Sequence, residues 1–336
     1  MLRDAFARSL DVRAEILPTL HEEGTDCYRL LHGATEGVPG TAIDRYGPVL
    51  LVQTWRDPLD HGELDAVAQV AAAAGLELTP VWNHRASVRG QGRTPDFGLW
   101  HEVELPAEVE GHELGLAYDV SPRHQGLDPL LFLDFRAARR HVHAHADGAS
   151  VLNLFAYTCG VGLAAAAGGA TEVWNVDFAA RSIAVGEGNV ERNPNVPKVQ
   201  RFIQEDALPT MRMLGGLKPG GRRGKRPRIT HFQKRTFDIV VLDPPRWSKS
   251  VFGAVDVVRD YPSLLKPALL ATASGGHVLA TNHVPSVDWD EWVAVLRRCG
   301  EKAGRHISDI ERIWPEADVP SPDSRPPLKM AWLTVP

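Results

Sequence analysis

Two neighbouring segments carry residues suited to binding an adenosine-type cofactor. A glycine pattern, Gly160-x-Gly162-x-x-Ala165, follows an apolar strand-like segment, and Asp177 ends the next such segment. Glycines let a backbone approach a ligand closely, and a helix N-terminus favours polar or anionic groups. An acid at a strand end can accept both hydroxyls of a ribose. The pattern predicts an adenosine-type cofactor and leaves NAD and S-adenosylmethionine both open.

A second motif, Asp243-Pro244-Pro245-Arg246-Trp247, directly follows the apolar residues 240–242. Two prolines fix a rigid, extended corner and leave backbone carbonyls without local donors. Such a corner can hold an aromatic base next to a donor methyl group, with Asp243 near the cofactor. A simple strand-terminating turn is the alternative. Together with the upstream glycine loop and Asp177, the corner favours S-adenosylmethionine.

These motifs lie in a half of the chain where strands and helices alternate. Strand-like segments occur at 151–154, 172–177, 199–203, 238–242, 277–281, 308–313 and 329–335, with helical segments at 163–167, 179–193, 257–273 and 287–299. Repeated βα units predict an α/β, mostly parallel, doubly wound sheet with ligands at the carboxyl ends of its strands. The preceding half predicts a helical segment broken near Pro18 and then a smaller, strand-rich α+β domain.

Composition excludes several classes of protein. The chain has 336 residues, 43% of them apolar, and a net charge of -5, as expected of a folded domain protein. No apolar stretch is long enough to cross a membrane, and the N-terminus lacks signal-peptide features. Three cysteines without CxxC spacing argue against a disulfide scaffold or zinc ribbon, so we expect a cytoplasmic protein. The alternating His141, His143 and His145 are expected near a helix end, not in a metal site.

One segment is strongly basic. Residues 213–236 contain no acidic residue and carry eight basic ones, Lys218, Arg222, Arg223, Lys225, Arg226, Arg228, Lys234 and Arg235. Glycines and prolines within it predict an exposed loop. A solvated insertion without function and a phosphate-binding loop both remain open.

Taken together, the motifs resemble the class I S-adenosylmethionine-dependent 23S rRNA methyltransferases, in both the cytosine-C5 and the guanine-N7 branch. The matching stretches are 28–30, 37–47, 132–136, 151–158, 176–177, 205–207 and 242–245. The resemblance runs from about residue 25 to the C-terminus, and we expect the family's N-terminal PUA module to be absent. It implies a Rossmann-like class I methyltransferase domain with a seven-stranded sheet over 127–336, a small RNA- or substrate-binding α+β domain over 25–126, and an N-terminal helical segment over 1–24.

The resemblance also implies roles for individual residues. Asp134 and Arg136 would lie at the lip over the amino-acid end of the cofactor, Asp177 would bind the ribose, Asp206 the adenine amine, and Asp243 the region of the sulfonium. Phe155, Tyr157, Thr158 and Gly160 would form the wall beside the methionine part. Asn153, Phe178 and Ala207 complete the expected set of cofactor contacts. Two alternatives stay open: Arg136 could cap a helix or pair with Asp134, and Asp206 could be a helix N-cap.

Which atom of the base can accept the methyl group depends on whether a reactive cysteine lies in the site. Methylation of cytosine C5 needs a thiolate that adds to C6. The cytosine branch carries it in a Ser-Cys-Ser-like motif after the fifth strand, where this chain has Thr281-Asn282-His283. Cys159 and Cys299 do not match that position and are expected to be small buried residues.

That stretch instead resembles the Ser-Asn-Asn of the guanine-N7 branch. Pro244, Pro245, Trp247 and Asn282 would then join Asp243 in the catalytic set, with Asn282 bonding a base edge and Trp247 stacking on its face. Guanine N7 is unprotonated, so in-line positioning would suffice. His283 in place of the second Asn and Arg246-Trp247 in place of a small residue and Phe are departures from the branch.

The sequence therefore predicts an S-adenosylmethionine-dependent methyltransferase that transfers a methyl group directly to a base of RNA, 23S rRNA being the expected substrate. Guanine N7 or another base nitrogen is the favoured acceptor. Cytosine-C5 methylation, a non-RNA substrate, a nicotinamide-dependent oxidoreductase and a non-catalytic RNA-binding protein are the alternatives. The expected partner is RNA, with no membrane and no metal, and a homodimer is left open.

Overall fold

The computed structural model describes residues 1–85, 108–122, 129–220, 229–250 and 253–336. It divides the chain into two compact units. The first consists of Met1–Arg136 and Pro315–Arg325, and the second of Ala137–Trp314 and Pro326–Pro336. None of the helices in the described ranges has the length and apolar content that a membrane crossing needs.

The first unit combines helices with a small mixed sheet. Its elements are α1 (Leu2–Arg13), α2 (Leu17–Glu22), β1 (Cys27–His32), β2 (Thr41–Tyr46), β3 (Val49–Thr54), α3 (His61–Ala73), β4 (Thr79–His84), β5 (Glu110–Glu113) and β6 (Leu116–Asp119). The sheet order is β1-β2-β3-β4, with β3 and β4 parallel and the other pairs antiparallel. Strands β5 and β6 form a separate antiparallel hairpin.

Apolar residues at helical spacing hold this unit together. Phe6 of α1 and Leu64 of α3 lie in one buried cluster with Leu30 of β1 and Val52 of β3. The predicted break of the N-terminal helix is present between α1 and α2, with Pro18 in the first turn of α2, where a missing N–H costs nothing. The N-terminal helices therefore belong to the same compact unit as the sheet.

The second unit alternates strands and helices around one large sheet. Its elements are α4 (Arg136–His145, starting at the last residue of the first unit), β7 (Ser150–Leu154), α5 (Gly160–Ala167), β8 (Glu172–Asp177), α6 (Ala180–Arg192), β9 (Gln200–Gln204), α7 (Ala207–Leu214), β10 (Phe237–Leu242), β11 (Trp247–Ser250), β12 (Gly253–Asp256), α8 (Tyr261–Leu270), β13 (Thr272–Asn282), α9 (Trp289–Ala303), β14 (Asp309–Ile313) and β15 (Lys329–Val335).

The large sheet has the order β14-β15-β13-β10-β7-β8-β9. Strands β9, β8, β7, β10 and β13 are parallel, and β15 pairs antiparallel with both β13 and β14. This confirms the mostly parallel, seven-stranded α/β sheet predicted from the sequence. Central strand β10 is buried on both faces, since Val240, Val241 and Leu242 have no exposed surface, and a continuous apolar segment is what such a strand requires.

Several predicted boundaries differ from the structure, among them the starts of α8 and β13. The helix expected over 257–273 is α8, which begins only at Tyr261, after the N-cap Asp260 and with Pro262 in its first turn. The strand expected over 277–281 is the longer β13, which begins at Thr272. The apolar pattern alone did not mark these ends, because a proline-bearing first turn and a glycine-containing strand both depart from the usual periodicity.

Candidate active site

The carboxyl ends of adjacent parallel strands gather the predicted acidic residues. Strand registers pair Leu242 with Leu154, and Leu154 with Val176. The residues that directly follow this row are Asp243, Phe155 and Asp177. On the far side of β8, Asp177 is level with the last residue of β9, and Asp206 follows two residues later. The sheet therefore brings Asp177, Asp206 and Asp243 to the same edge.

The loop after β7 has an unusual backbone. Phe155, Tyr157 and Cys159 have φ values of 58°, 48° and 61°, in the left-handed region that non-glycine residues rarely adopt. Such conformations cost roughly 1–3 kcal/mol each and cluster at ligand sites. The loop is fixed by the Ala156 N–H, which donates to the Val176 carbonyl at 3.0 Å, and by a bond to Asp177. Its shape is thus maintained by the neighbouring strand.

Asp177, the last residue of β8, holds this loop through a backbone hydrogen bond. Its Oδ2 accepts the backbone N–H of Tyr157 and its Oδ1 that of Ala179, both at 2.9 Å. Burial raises the pKa of Asp177, while these backbone bonds oppose the shift. The next residue, Phe178, is 72% exposed. One strand end therefore offers a fixed carboxylate beside an exposed aromatic ring.

The two carboxylate oxygens of Asp206 have different surroundings. Its Oδ1 accepts the Leu208 N–H at 2.8 Å, which makes Asp206 the N-cap of α7 and confirms that alternative. Its Oδ2 is buried and has no hydrogen-bond partner among the residues that the structure describes. Ala207 is the first residue of α7, so its N–H has no acceptor within the helix. A buried acceptor beside a helix N–H suits a ligand with an N–H donor and a ring nitrogen acceptor.

Three further predicted contact residues are buried around the loop. Asn153 is 2% exposed and donates through Nδ2 to Oδ1 of Asn175 at 2.9 Å. Thr158 is also buried, and its backbone carbonyl accepts from Asn189 at 3.3 Å. Gly160 is the buried first residue of α5. The side chains of Asn153 and Asn175 link β7 to β8 and so support the loop.

Asp243 links the ends of β10 and β13. Its Oδ1 accepts the Thr281 hydroxyl at 2.5 Å and lies 2.6 Å from Nε2 of His283. The side chains of His283 and Asp243 are 36% and 26% exposed. His283 was not among the residues predicted for the site. The signal that could have identified it is its position directly after β13, the strand beside β10 and its Asp-Pro-Pro corner.

The Asp-Pro-Pro corner is partly exposed. Pro244 is buried, while Pro245 and Arg246 are exposed. Trp247 opens the hairpin of β11 and β12, where it pairs with Asp256. The predicted stacking of the Trp247 side chain lies outside what the structure describes.

Asn282 does not fit its predicted role. It is 1% exposed, and its Oδ1 accepts the backbone N–H of Val284 at 2.9 Å. A short amide side chain readily closes a turn over the backbone in this way. The polar residue with exposed surface at the end of β13 is His283, not Asn282.

Arg136 also departs from its predicted position. Its side chain has no exposed surface, and it donates to the Cys27 carbonyl at 2.9 Å and to Oδ1 of Asp318 at 2.5 Å. A buried guanidinium needs such partners, and these bonds assign Arg136 to the interior of the first unit. Asp134 is half-buried in the adjoining 3₁₀ turn, Leu133–Phe135, of the same unit.

The cysteines are buried, as predicted for Cys159 and Cys299. Cys27, Cys159 and Cys299 are all free thiols with at most 3% exposed surface. Burial raises the pKa of each of the three, so the thiolate form is disfavoured. None is suited to nucleophilic attack on a base.

Two other predictions concern the basic segment 213–236 and a possible metal site. Within the basic segment, Arg222, Arg223, Lys225, Arg226 and Arg228 lie outside the described residues, whereas Lys218 and Lys234 are described and exposed. In the described part of the chain there is no group of three or more His, Cys, Asp or Glu side chains arranged to hold a metal ion.

Comparison with known proteins gives consistent matches. A family model described as S-adenosylmethionine-dependent methyltransferase matches residues 29–331. The chain is 29% identical to a ribosomal RNA large subunit methyltransferase of Deinococcus radiodurans, over 88% of this chain and 71% of the relative. It is 27% identical to ribosomal RNA large subunit methyltransferase I of Shigella flexneri, over 89% and 71%. The crystal structure of the methyltransferase SMU.776 complexed with SAH has a TM-score of 0.76 at 24% identity, covering 99% of this chain and 80% of that one.

Proposed function

The chain belongs to the S-adenosylmethionine-dependent methyltransferase family, and we propose that it methylates a base of large-subunit ribosomal RNA by direct transfer to a base nitrogen. The observation that carries the proposal is the alignment of Asp177, Asp206 and Asp243 at one sheet edge, with the buried Oδ2 of Asp206 lacking a donor. This edge is where ligands bind in open α/β sheets.

The residues at this edge fit the methyl donor. Oδ2 of Asp206 would accept the adenine amine, and the Ala207 N–H would donate to the ring beside it. The carboxylate oxygens of Asp177 each accept one backbone N–H and keep further lone pairs, which would accept the ribose hydroxyls. The exposed ring of Phe178 would cover the adenine. S-adenosylmethionine supplies an electrophilic methyl group on a sulfonium. The fixed backbone of residues 155–160 would shape the wall beside it.

The substrate follows from the relatives and from the acceptor chemistry. Relatives at 27–29% identity are named as large-subunit rRNA methyltransferases, which supports RNA as the substrate. A cytosine-C5 enzyme needs an accessible thiolate, and the three cysteines here are buried with raised pKa values. A base nitrogen carries its own lone pair and needs no covalent enzyme intermediate. We therefore favour a nitrogen acceptor, guanine N7 or another.

The test compares ribosomal RNA from cells with and without the gene. Digested 23S rRNA is analysed by mass spectrometry of its nucleosides, and we expect one methylated purine or pyrimidine to disappear from the strain that lacks the gene. The wild-type gene should restore it, and a gene encoding Asp206→Ala should not. Unmodified 23S rRNA is then methylated by purified protein with labelled S-adenosylmethionine. Identical nucleoside profiles and no labelling of the RNA would reject the proposal, and a 5-methylcytidine product would reject the nitrogen acceptor.

A further inference from the structure

Asp243 and His283 form a carboxylate–imidazole pair at the edge of the large sheet. Oδ1 of Asp243 lies 2.6 Å from Nε2 of His283. An ionised carboxylate can only accept a hydrogen bond, so Nε2 carries the proton. In the neutral imidazole the basic lone pair is then on Nδ1. The pair has the chemistry of an oriented general base.

The carboxylate itself is fixed from a second direction. The Thr281 hydroxyl donates to the same Oδ1 at 2.5 Å, and Thr281 has no exposed surface. Thr281 lies at the end of β13 and His283 directly follows that strand, while Asp243 follows β10, the adjacent parallel strand. A base on the end of a strand, held by a fixed carboxylate, is set on a rigid element of the fold.

His283 differs from the two preceding residues in its exposure to solvent. Thr281 and Asn282 are at most 1% exposed, whereas the His283 side chain keeps 36% of its surface exposed. Asp243 directly precedes the Pro-Pro corner and lies in the row with Phe155 and Asp177. The imidazole therefore adjoins the sheet edge that is proposed to bind the methyl donor and the acceptor base.

We propose that His283 is the general base that removes the proton from the acceptor nitrogen, with Asp243 as its positioning residue. This inference rests on the proposed function and narrows its acceptor to a nitrogen that carries a proton, an exocyclic amino group or the N1–H of guanine. Guanine N7 carries no proton, so its methylation would need no general base.

The step balances in atoms and charge. The nitrogen lone pair forms the new N–C bond, and the C–S bond of the donor breaks with its electron pair remaining on sulfur as a neutral thioether. The N–H bond breaks with its pair remaining on nitrogen, and the proton goes to Nδ1 of His283. The positive charge of the sulfonium thus ends on an imidazolium whose Nε2–H faces the Asp243 carboxylate.

The decisive comparison uses two variants at His283. His283→Gln keeps a polar group that can bond Asp243 but has no basic nitrogen, and His283→Ala leaves space for free imidazole. We expect kcat on unmodified 23S rRNA to fall about 10²- to 10⁴-fold in both variants, with KM and affinity for S-adenosylhomocysteine nearly unchanged. Added imidazole should restore at least tenfold activity to His283→Ala and none to His283→Gln. A purely structural histidine would show no rescue, and that result overturns the inference.

Two further readouts complete the test. The proton spectrum of the wild-type protein should contain a low-field imidazole N–H resonance that disappears in His283→Gln and in Asp243→Asn, and its absence contradicts the pair. Nucleoside analysis should give an exocyclic N-methyl or N1-methyl product, and 7-methylguanosine overturns the inference while leaving rRNA methylation standing. If wild-type protein transfers no methyl group to rRNA, the proposed function fails and takes the inference with it.

Discussion

Asp177 accepts the backbone N–H of Tyr157 through Oδ2 at 2.9 Å, and this bond ties the end of β8 to the left-handed loop after β7. The same carboxylate is proposed to bind the ribose of the cofactor. The same side chain therefore contributes to the shape of the loop and to the proposed binding of the cofactor.

Replacing Asp177 tests this double role. Asp177→Ala removes the loop bond and the acceptors for the ribose, so we expect the dissociation constant of S-adenosylhomocysteine to rise at least tenfold, equivalent to about 1.4 kcal/mol or more. Titration calorimetry measures it. The control is Asp309→Ala on edge strand β14, where the carboxylate is exposed and affinity should not change. Equal affinities of wild type and Asp177→Ala would contradict the assignment.

The two oxygens of Asp206 can be separated by substitution. Asp206→Ser keeps an N-cap acceptor for the Leu208 N–H but removes the buried Oδ2, so we expect near wild-type stability and weaker cofactor binding. Asp206→Ala removes both and should also lose about 1 kcal/mol of unfolding free energy. Thermal melting and calorimetry on the same samples distinguish the two effects. Full cofactor affinity in Asp206→Ser would show that Oδ2 has no ligand.

A buried thiol should be dispensable for catalysis. Cys159 packs with Ala156 and Ile183, and burial raises its pKa, so Cys159→Ala should retain methyl transfer to within about threefold. Cys299→Ala serves as the matched control. Methyl incorporation and denaturing gels of enzyme–RNA mixtures provide the measurement. A covalent RNA adduct in the wild type that Cys159→Ala abolishes together with turnover would point back to cytosine-C5 chemistry.

A histidine and tryptophan cluster makes stability depend on pH. The ring of His141 lies 4.6 Å from that of Trp332, and burial, with His145 and His277 nearby, lowers the pKa of His141 to about 4. The unfolded chain, with an ordinary histidine pKa near 6.5, binds this proton first, so stability is full above about pH 6.5 and falls as the pH drops towards 4. Since His141 is only partly buried, we expect its share to be about 1 kcal/mol.

Urea unfolding at several pH values tests this dependence. His141→Phe keeps a ring against Trp332 but cannot take up a proton, so its stability should fall less than that of the wild type between pH 6.5 and pH 4. The exposed His143 is the control position, and His143→Gln should follow the wild type. Parallel curves for His141→Phe and the wild type would exclude His141 as the source.

The basic segment makes its own prediction for RNA binding. If Arg222, Arg223, Lys225 and Arg226 contact phosphates, replacing all four by Gln should reduce the slope of log affinity against log salt by up to about 3. The control replaces Arg297 and Arg298, exposed residues of α9, in the same way. An unchanged slope in the fourfold variant would identify the segment as a solvated insertion.

The carboxyl ends of the strands could be predicted from the sequence because their signals are local. The apolar residues 240–242 predict a strand buried on both faces, and Asp243 directly follows them. Asp177 ends the predicted strand 172–177, and Asp206 lies three residues after the predicted strand 199–203. Parallel strands then bring these residues to one edge by topology alone. The sheet and the acidic part of the site could therefore be predicted without coordinates.

The roles of other predicted residues could not be read from the sequence, because a local pattern does not show which residues they contact. The buried carboxylate that pairs with Arg136 belongs to Asp318, 182 residues away in the chain. Asn282 is buried, and its Oδ1 accepts the backbone N–H of Val284, so its amide closes a turn that the sequence pattern did not reveal. His283 became visible as a site residue only when β13 was found beside β10, with Asp243 within hydrogen-bond distance.

The return of residues 315–325 to the first unit has a consequence for how the protein is made. Asp318 supplies the carboxylate for Arg136 and also accepts the backbone N–H of Arg29, so contacts of these two arginines depend on a residue that is synthesised 182 and 289 residues after them. During translation the first unit cannot complete its interior until residues 315–325 have left the ribosome. Its final packing step therefore comes after the parallel strands of the second unit have already emerged.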